Sequence, residues 1–343
     1  MGRGKAIKCV VWDLDETVWE GVLLEGGAAR LRDGVRETIV ELDRRGILQS
    51  IASRNTHEDA VRRLEELDLA EYFLYPQINF GTKSQSVEKI AKLLNIGLDT
   101  FAFVDDQPFE LDEVAQGAPG VRCYSAGLAC SLPGLPEFTP RFVTADSAMR
   151  RSMYQADIRR NTAEESFAGP KESFLESLDM RFTLGPVEDG DLERAVDLTE
   201  RTNQLNATGL TFSHDELAAL RFSDRHMLTI SSLEDKYGTY GKIGLSLVEK
   251  GEDCWRIKLL LMSCRVMSRG VGSVQLNHIV RQALAAGKRP RADFVETPRN
   301  RMMYVTYKFA GFTEIEAQGN RLLLEYRGDA VPQFPPYLKV TIV

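Results

Sequence analysis

What constrains this chain most is a pattern repeated through its first 140 residues. A short apolar run ends in acidic or hydroxyl-bearing residues, and an amphipathic stretch follows. Residues 6–12 are mostly apolar and end on Asp13, as a parallel strand buried on both faces does. Residues 34–45 place Val35, Ile39 and Leu42 at helical spacing, with Gly46 as C-cap. A strand at 47–52 follows, then a helix capped by Thr56 that turns Ala60, Val61, Leu64 and Leu67 inward. Residues 72–80 read as a strand, 84–94 as a helix burying Val87, Ile90 and Leu94, and 100–104 and 121–124 as further strands. Alternation of this kind predicts an α/β domain with a doubly wound parallel sheet.

Ligands of such sheets bind beyond the carboxyl ends of the strands. Asp13 and Asp15 stand there, just past the first strand. An aspartate at that place can attack phosphorus, and an acid two residues on can protonate the leaving oxygen. Ser53 closes the second strand, and its hydroxyl with the turn through Arg54 and Asn55 can hold phosphate oxygens. Lys83 precedes a helix, where it can neutralise the transferred group, and Asp105 and Asp106 end the fourth apolar run. Each feature alone is common: an acidic loop, a helix cap, a surface charge. Their arrival at four successive strand ends is what points to phosphoryl transfer. Seventeen positions separate Thr17 from Gly34 and 28 separate Asn55 from Lys83, too few for a large cap domain. An open site that a bulky substrate can reach is expected.

At 343 residues the chain suits two domains. Three prolines and a glycine in residues 131–142 suggest a junction. The expected organisation is residues 1–140 as the phosphoryl-transfer domain, 141–179 as a linker with a helical segment, and 180–343 as a second, mixed α/β domain. Its expected helices lie at 187–203, from Ser213, and at 270–286; its expected strands lie at 227–231, 241–249 and 255–262. No apolar run reaches the ~20 residues of a membrane span. The short apolar run near the N-terminus ends in an acid and lacks the cleavage pattern of a signal peptide. A net charge of −7 gives no general support for nucleic-acid binding. Five cysteines match no zinc or disulfide framework, which suits a reducing, cytoplasmic setting.

Residues 6–125 resemble the haloacid-dehalogenase-like superfamily. The resemblance implies Asp13 as nucleophile, Asp15 as acid/base, and Ser53 and Lys83 as phosphate-holding groups. It also implies Mg²⁺ held by Asp13, the carbonyl of Asp15 and one of Asp105 and Asp106, with Asp106 favoured. Thr17, Arg54 and Asn55 join the phosphate-binding candidates. In the second domain, Arg265-x-x-x-Arg269-Gly270-x-Gly272, after an apolar strand and before a helix, resembles the coenzyme-A loop of GNAT-like acyltransferases. Asn300 and Gly311-Phe312 resemble the ending of that fold.

Together, residues 12–19, 104–110, Thr202-Asn203-Gln204 and 262–266 resemble the FkbH-like family. That resemblance covers nearly the whole chain. It implies a glyceryl transferase and phosphatase that takes a three-carbon unit from 1,3-bisphosphoglycerate. The unit is loaded onto the phosphopantetheine thiol of an acyl carrier protein for polyketide biosynthesis. Asn203, Gln204 and Arg265 become substrate-binding candidates. Glu16 stands where that family has Asn, Glu20 where it has Gly, and Ser268 where it has Gly.

An acyl-carrying thiol must be accessible. Cys9 lies four residues before Asp13, roughly 13 Å back into the sheet, and reads as core. Cys123 is also in a strand, and Cys130 has no evident partner. Cys264, beside Arg265 and a helix N-terminus, is either an acyl acceptor or a structural thiol, and His278 is its candidate base. Two other functions remain open: a phosphatase whose second domain only binds substrate, and a non-enzymatic carrier-binding scaffold. Docking of an acidic carrier would need a local basic face, at Arg150, Arg151, Arg159 and Arg160, or at Lys288, Arg289, Arg291, Arg299 and Arg301.

Overall fold

In the computed structural model, residues 5–25, 29–202, 204–328 and 332–343 are described, Ser268 by its backbone alone. The chain forms two compact units, residues 1–155 and 156–343.

The first unit alternates strand and helix in the expected order. Its elements are β1 (Cys9–Trp12), α1 (Val35–Arg44), β2 (Leu48–Ser53), α2 (His57–Glu66), β3 (Gln77–Ile78), α3 (Lys83–Leu94), β4 (Phe101–Asp105), α4 (Pro108–Gly117) and β5 (Arg122–Ser125). All five strands pair in parallel in the order β3-β2-β1-β4-β5. The order reverses at β1, so the crevice of a doubly wound sheet opens beside its carboxyl end. β1, β2 and β4 are buried at every position, which explains the apolar runs of β1 and β4; β2 buries Gln49 and Ser50 as well. Trp12 is fully buried, and its indole N–H donates to Gln49 Oε1 at 3.1 Å, the partner a buried tryptophan requires.

The strand expected at 72–80 is reduced to Gln77–Ile78. Tyr75 has φ +51° and Pro76 follows, and neither continues an extended ladder. Between β1 and α1, among the described residues, lie a small hairpin, Trp19–Glu20 against Arg30–Leu31, and a 3₁₀ turn at Leu23–Glu25. The first unit thus has the doubly wound, uncapped architecture expected of it.

The proline-rich stretch 131–142 belongs to the first unit. Leu132 and Phe138 are fully buried in its core, and Arg45 donates to the carbonyls of Pro133 and Phe138. The division falls later, inside α5 (Arg150–Glu165). The prolines set short 3₁₀ turns that pack down, so composition there marked a loop-like backbone and not a free linker.

The second unit continues with α6 (Lys171–Ser177), β6 (Arg181–Pro186), α7 (Leu192–Arg201), α8 (His214–Arg221), β7 (His226–Asp235) and β8 (Gly238–Lys250). β9 (Cys254–Met262), α9 (Gly272–Ala285), β10 (Arg289–Val295), α10 (Arg301–Phe309), β11 (Phe312–Gln318), β12 (Arg321–Tyr326) and β13 (Lys339–Ile342) complete it. Its mixed eight-stranded sheet has the order β11-β12-β10-β9-β8-β7-β6-β13. Residues 174–178, expected in the linker, belong to this core: Phe174, Leu175 and Leu178 are all buried in it. The helix expected at 187–203 starts at Leu192, after a 3₁₀ turn at Asp189–Asp191.

β9 and β10 run parallel from Cys254/Arg289 to Ile257/Ala292 and then part. The chain's own Leu205–Ala207 fills the gap. Ala207 N donates to Leu260 O, Met262 N to Leu205 O, and Val295 N to Ala207 O, at 2.8–3.0 Å. Among the described residues, no helix is long and apolar enough to cross a membrane.

Candidate active site

Four loops deliver side chains to the carboxyl edge of the first sheet. Asp13 follows β1 directly and is 5% exposed. Lys83, the first residue of α3, sends Nζ to Asp13 Oδ1 at 2.5 Å and to Asp105 Oδ2 at 2.9 Å. Ser53, buried at the end of β2, lies close enough to Asp13 to favour its charged form. Asp13, Asp105 and Asp106 each offer a carboxylate oxygen within 4.8 Å of the others.

The electrostatics follow from this crowding. Burial pushes the Asp13 carboxyl up to about 6; Lys83 opposes the rise and Asp105 adds to it. Burial also works against the charge of Lys83, but Asp13 and Asp105 outweigh it and hold the ammonium above the ordinary lysine value. Asp106 is raised by burial and then by Asp105.

The two neighbouring acids differ in what they have left to offer. Asp105 is fully buried; Lys83 takes its Oδ2 and Gln107 N its Oδ1 at 2.9 Å. Asp106 is only partly buried, and its Oδ1 has no partner among the described residues. Asp106 therefore has the open oxygen, while Asp105 anchors the lysine. Three clustered carboxylates beside one ammonium, with an orphaned oxygen among them, fit a small hard cation with oxygen ligands.

Asp15 lies outside that cluster. Its carboxylate accepts from Trp19 Nε1 (2.7 Å), Leu23 N (3.1 Å) and Asn55 Nδ2 (3.0 Å). These donors fix its orientation two residues beyond Asp13, the placement an acid/base needs. Asn55 also donates to Ser53 Oγ at 3.4 Å, while its own Oδ1 and the hydroxyl of the fully buried Thr17 lack partners among the described residues. Arg54 pairs with Glu110 at 3.1 Å. The structure thus brings together Asp13, Asp15, Thr17, Ser53, Arg54, Asn55, Lys83, Asp105 and Asp106. Sequence reasoning missed Trp19 and Glu110 as supporting residues. Both stand inside the motifs at 12–19 and 104–110, but no spacing sets them apart.

The candidates in the second unit fare differently. His278 is buried on α9 and makes no hydrogen bond among the described residues, so the Cys264–His278 dyad is not formed. Its helix points it into packing. Burial, and then Arg281, lowers its pKa. Cys264 sits partly buried in the 3₁₀ turn Cys264–Arg269. Arg265 Nη2 donates to Tyr240 O at 2.8 Å. Arg269 is 2% exposed and is engaged by Glu164 (2.6 Å) and Asn161 (3.2 Å) of α5. Both arginines of the proposed phosphate loop are thus drawn into the unit's own structure.

Gln204 is exposed, and the residues after it serve as the bridge between β9 and β10; Asn203 lies outside the described residues. Asn300 is buried and donates to Asn206 O and Val295 O, a structural role. A cleft of about 550 Å³ does open at the start of α9, lined by Gly270, Gly272, Ser273, Met302, Val305 and Phe309 among others. Of the first basic cluster, Arg150 binds Gly46 O, Arg151 pairs with Asp43 and Glu71, and Arg160 is fully buried against Asp235 and Asp157. Arg159 is exposed and donates to Tyr237 O at 3.4 Å. In the second cluster Arg291 pairs with Glu325, while Arg289, Arg299 and Arg301 are exposed.

No family model matches the chain. Over 164 residues it is 26% identical to magnesium-dependent phosphatase 1 of Homo sapiens, a match spanning 42% of this chain and 92% of that protein. A solved N-terminal part of the Bacteroides fragilis protein BF1531, containing a phosphatase domain complexed with Mg, is 30% identical with a TM-score of 0.31. That match covers 36% of each chain, so this chain spans little more than a third of that relative. The GNAT domain of S. lividans PAT is 19% identical, with a TM-score of 0.33, over 42% of this chain and 88% of that one. The chain is similar in sequence, over part of its length, to a magnesium-dependent phosphatase.

Proposed function

We propose that this chain is a magnesium-dependent enzyme that removes phosphate from 1,3-bisphosphoglycerate and delivers the glyceryl unit to the phosphopantetheine thiol of an acyl carrier protein. The observation that carries the phosphoryl half is the cluster of Asp13, Lys83, Asp105 and Asp106 at the carboxyl edge of the sheet. The similarity to a magnesium-dependent phosphatase supports the same half. The acyl half is supported by the motifs at 12–19, 104–110, 202–204 and 262–266.

Asp13 and Asp106 would hold Mg²⁺, which when bound offsets the charge of carboxylates and phosphate together. An Asp13 oxygen forms a bond to the phosphorus of the C3 phosphate while the bond from phosphorus to the C3 oxygen breaks. Asp15 supplies the proton to that oxygen, and water hydrolyses the aspartyl-phosphate. Lys83 and Ser53 hold the phosphoryl oxygens. At C1 the acyl phosphate is already activated: a thiolate attacks the carbon and inorganic phosphate leaves.

The test is intact-mass analysis of a carrier protein after incubation with enzyme, Mg²⁺ and 1,3-bisphosphoglycerate. A carrier heavier by one glyceryl unit is expected, and none from Asp13→Asn. Loading at the wild-type rate by Cys264→Ala would show that the carrier thiol is the first acceptor. A second reading, a phosphatase whose second unit only recognises substrate, is favoured by the burial of Arg269 and by the isolation of His278 from Cys264. It predicts free acid and phosphate, with an unmodified carrier.

A further inference from the structure

Arg54 stands on the turn that leaves β2, next to Ser53, and its Nη1 lies 3.1 Å from Glu110 Oε1. Glu110 is in the first turn of α4, four residues after Asp106. In the sheet, β2 and β4 flank β1 on either side, so the pair spans the carboxyl end of the strand that presents Asp13. Glu110 is 3% exposed, and its Oε2 has no partner among the described residues. The arginine side chain is 43% exposed, with no other partner for its remaining N–H groups among the described residues. A buried carboxylate that holds one nitrogen of a guanidinium restrains that planar group while leaving its other donors available for an oxyanion.

Under the proposed function Lys83, at 4% exposure, and Ser53, at 3%, hold the transferred phosphoryl group deep in the crevice. Arg54, with 43% of its side chain exposed, lies further out. We propose that Arg54, positioned by Glu110, recognises a second anionic group, carboxylate or phosphate, at the end of the substrate remote from the phosphoryl group at Asp13. The substrate class is then a short doubly anionic acid phosphate. This rests on the assignment of the phosphoryl site to Asp13 under the proposed function.

Two probes of nearly equal size separate the possibilities: 3-phosphoglycerate, and glycerol 3-phosphate, which lacks the carboxylate. Binding is measured by calorimetry with Mg²⁺ on the full chain carrying Asp13→Asn, so no turnover is needed. We expect 3-phosphoglycerate to bind about 10- to 100-fold more tightly. Arg54→Gln should erase most of that difference, weakening 3-phosphoglycerate far more than glycerol 3-phosphate. Arg54→Lys should restore part of it, and Glu110→Gln should narrow it. Because Arg54→Gln leaves Glu110 buried and uncompensated, the double variant Arg54→Gln/Glu110→Gln guards against misfolding and should behave like Arg54→Gln.

Equal affinities in the parent, an equal loss for both probes, or binding of neither would overturn the inference; an equal loss would mean that Arg54 merely neutralises Glu110. Magnesium-dependent phosphate release from the wild-type chain is measured separately. Its absence would count against the phosphoryl reading and leave the binding comparison intact.

Discussion

Asp105 and Asp106 are chemically identical neighbours with opposite roles. Both oxygens of Asp105 are engaged, by Lys83 and the Gln107 amide, whereas Asp106 keeps one open. Asp106→Asn should therefore raise the Mg²⁺ concentration for half-maximal phosphate release at least tenfold (about 1.4 kcal/mol) with little change in stability. Asp105→Asn should lower stability by about 1–3 kcal/mol, because it disturbs a buried charge-assisted bond. Urea unfolding without metal, run beside a Mg²⁺ titration, checks both. Glu16 sits at φ +51°, a left-handed conformation that asparagine or glycine tolerates better. Its carboxylate accepts from Gly21 N at 2.9 Å and lies close enough to add to the upward push on Asp106. Glu16→Asn should raise stability by about 0.5–1 kcal/mol, seen as a higher unfolding midpoint. An unchanged or lower midpoint would mean that the Gly21 bond outweighs the backbone strain.

The α9 helix and the turn before it carry two further expectations. Gly270 ends the 3₁₀ turn at φ +69°, and a β-carbon placed there would lie 2.0 Å from the hydroxyl of Tyr337. Gly270→Ala should cost about 1 kcal/mol for the backbone alone and more for the clash. Adding Tyr337→Ala should recover the clash part, leaving the backbone part. His278, further along the helix, titrates below its ordinary value of 6.5 because of burial and Arg281. As pH falls through 6.5 the unfolded chain takes up the proton first, so this residue lowers stability on acidification. His278→Gln should lose less stability than wild type between pH 7.5 and 5, measured by urea unfolding at both. A steeper loss in the variant would show that His278 gains a partner when charged. The helix N-terminus also faces the cleft of about 550 Å³, whose walls include Met302 and Phe309.

Among the described residues, several cations are held in buried or partly buried ion pairs. Arg160 is buried against Asp235, Arg269 against Glu164, and Arg151 against Asp43 and Glu71. With a net charge of −7, an acidic carrier protein would need the exposed Arg289, Arg299 and Arg301. Changing all three to Glu should slow loading of the carrier mainly through the association rate, and added salt should reproduce the defect in the wild type. Loading that ignores both the substitutions and salt would remove this face from consideration. The first unit is legible in the sequence through its alternation of apolar runs and helical stretches. Its central strands β1 and β4 are buried on both faces, so their hydrophobicity is nearly continuous, and topology alone puts Asp13, Ser53 and Asp105 at strand ends and Lys83 at the start of α3. The second unit is less legible. The strands at Arg181–Pro186, Arg289–Val295, Phe312–Gln318, Arg321–Tyr326 and Lys339–Ile342 do not stand out in the sequence, because their burial is mixed and alternation over so few residues is a weak signal. Local sequence sets which backbone a segment prefers and so where its ends fall. Which of two adjacent aspartates keeps an open oxygen, and that Arg269 meets Glu164 and Arg54 meets Glu110, depends on contacts between residues far apart in the chain, and only packing in three dimensions decided them.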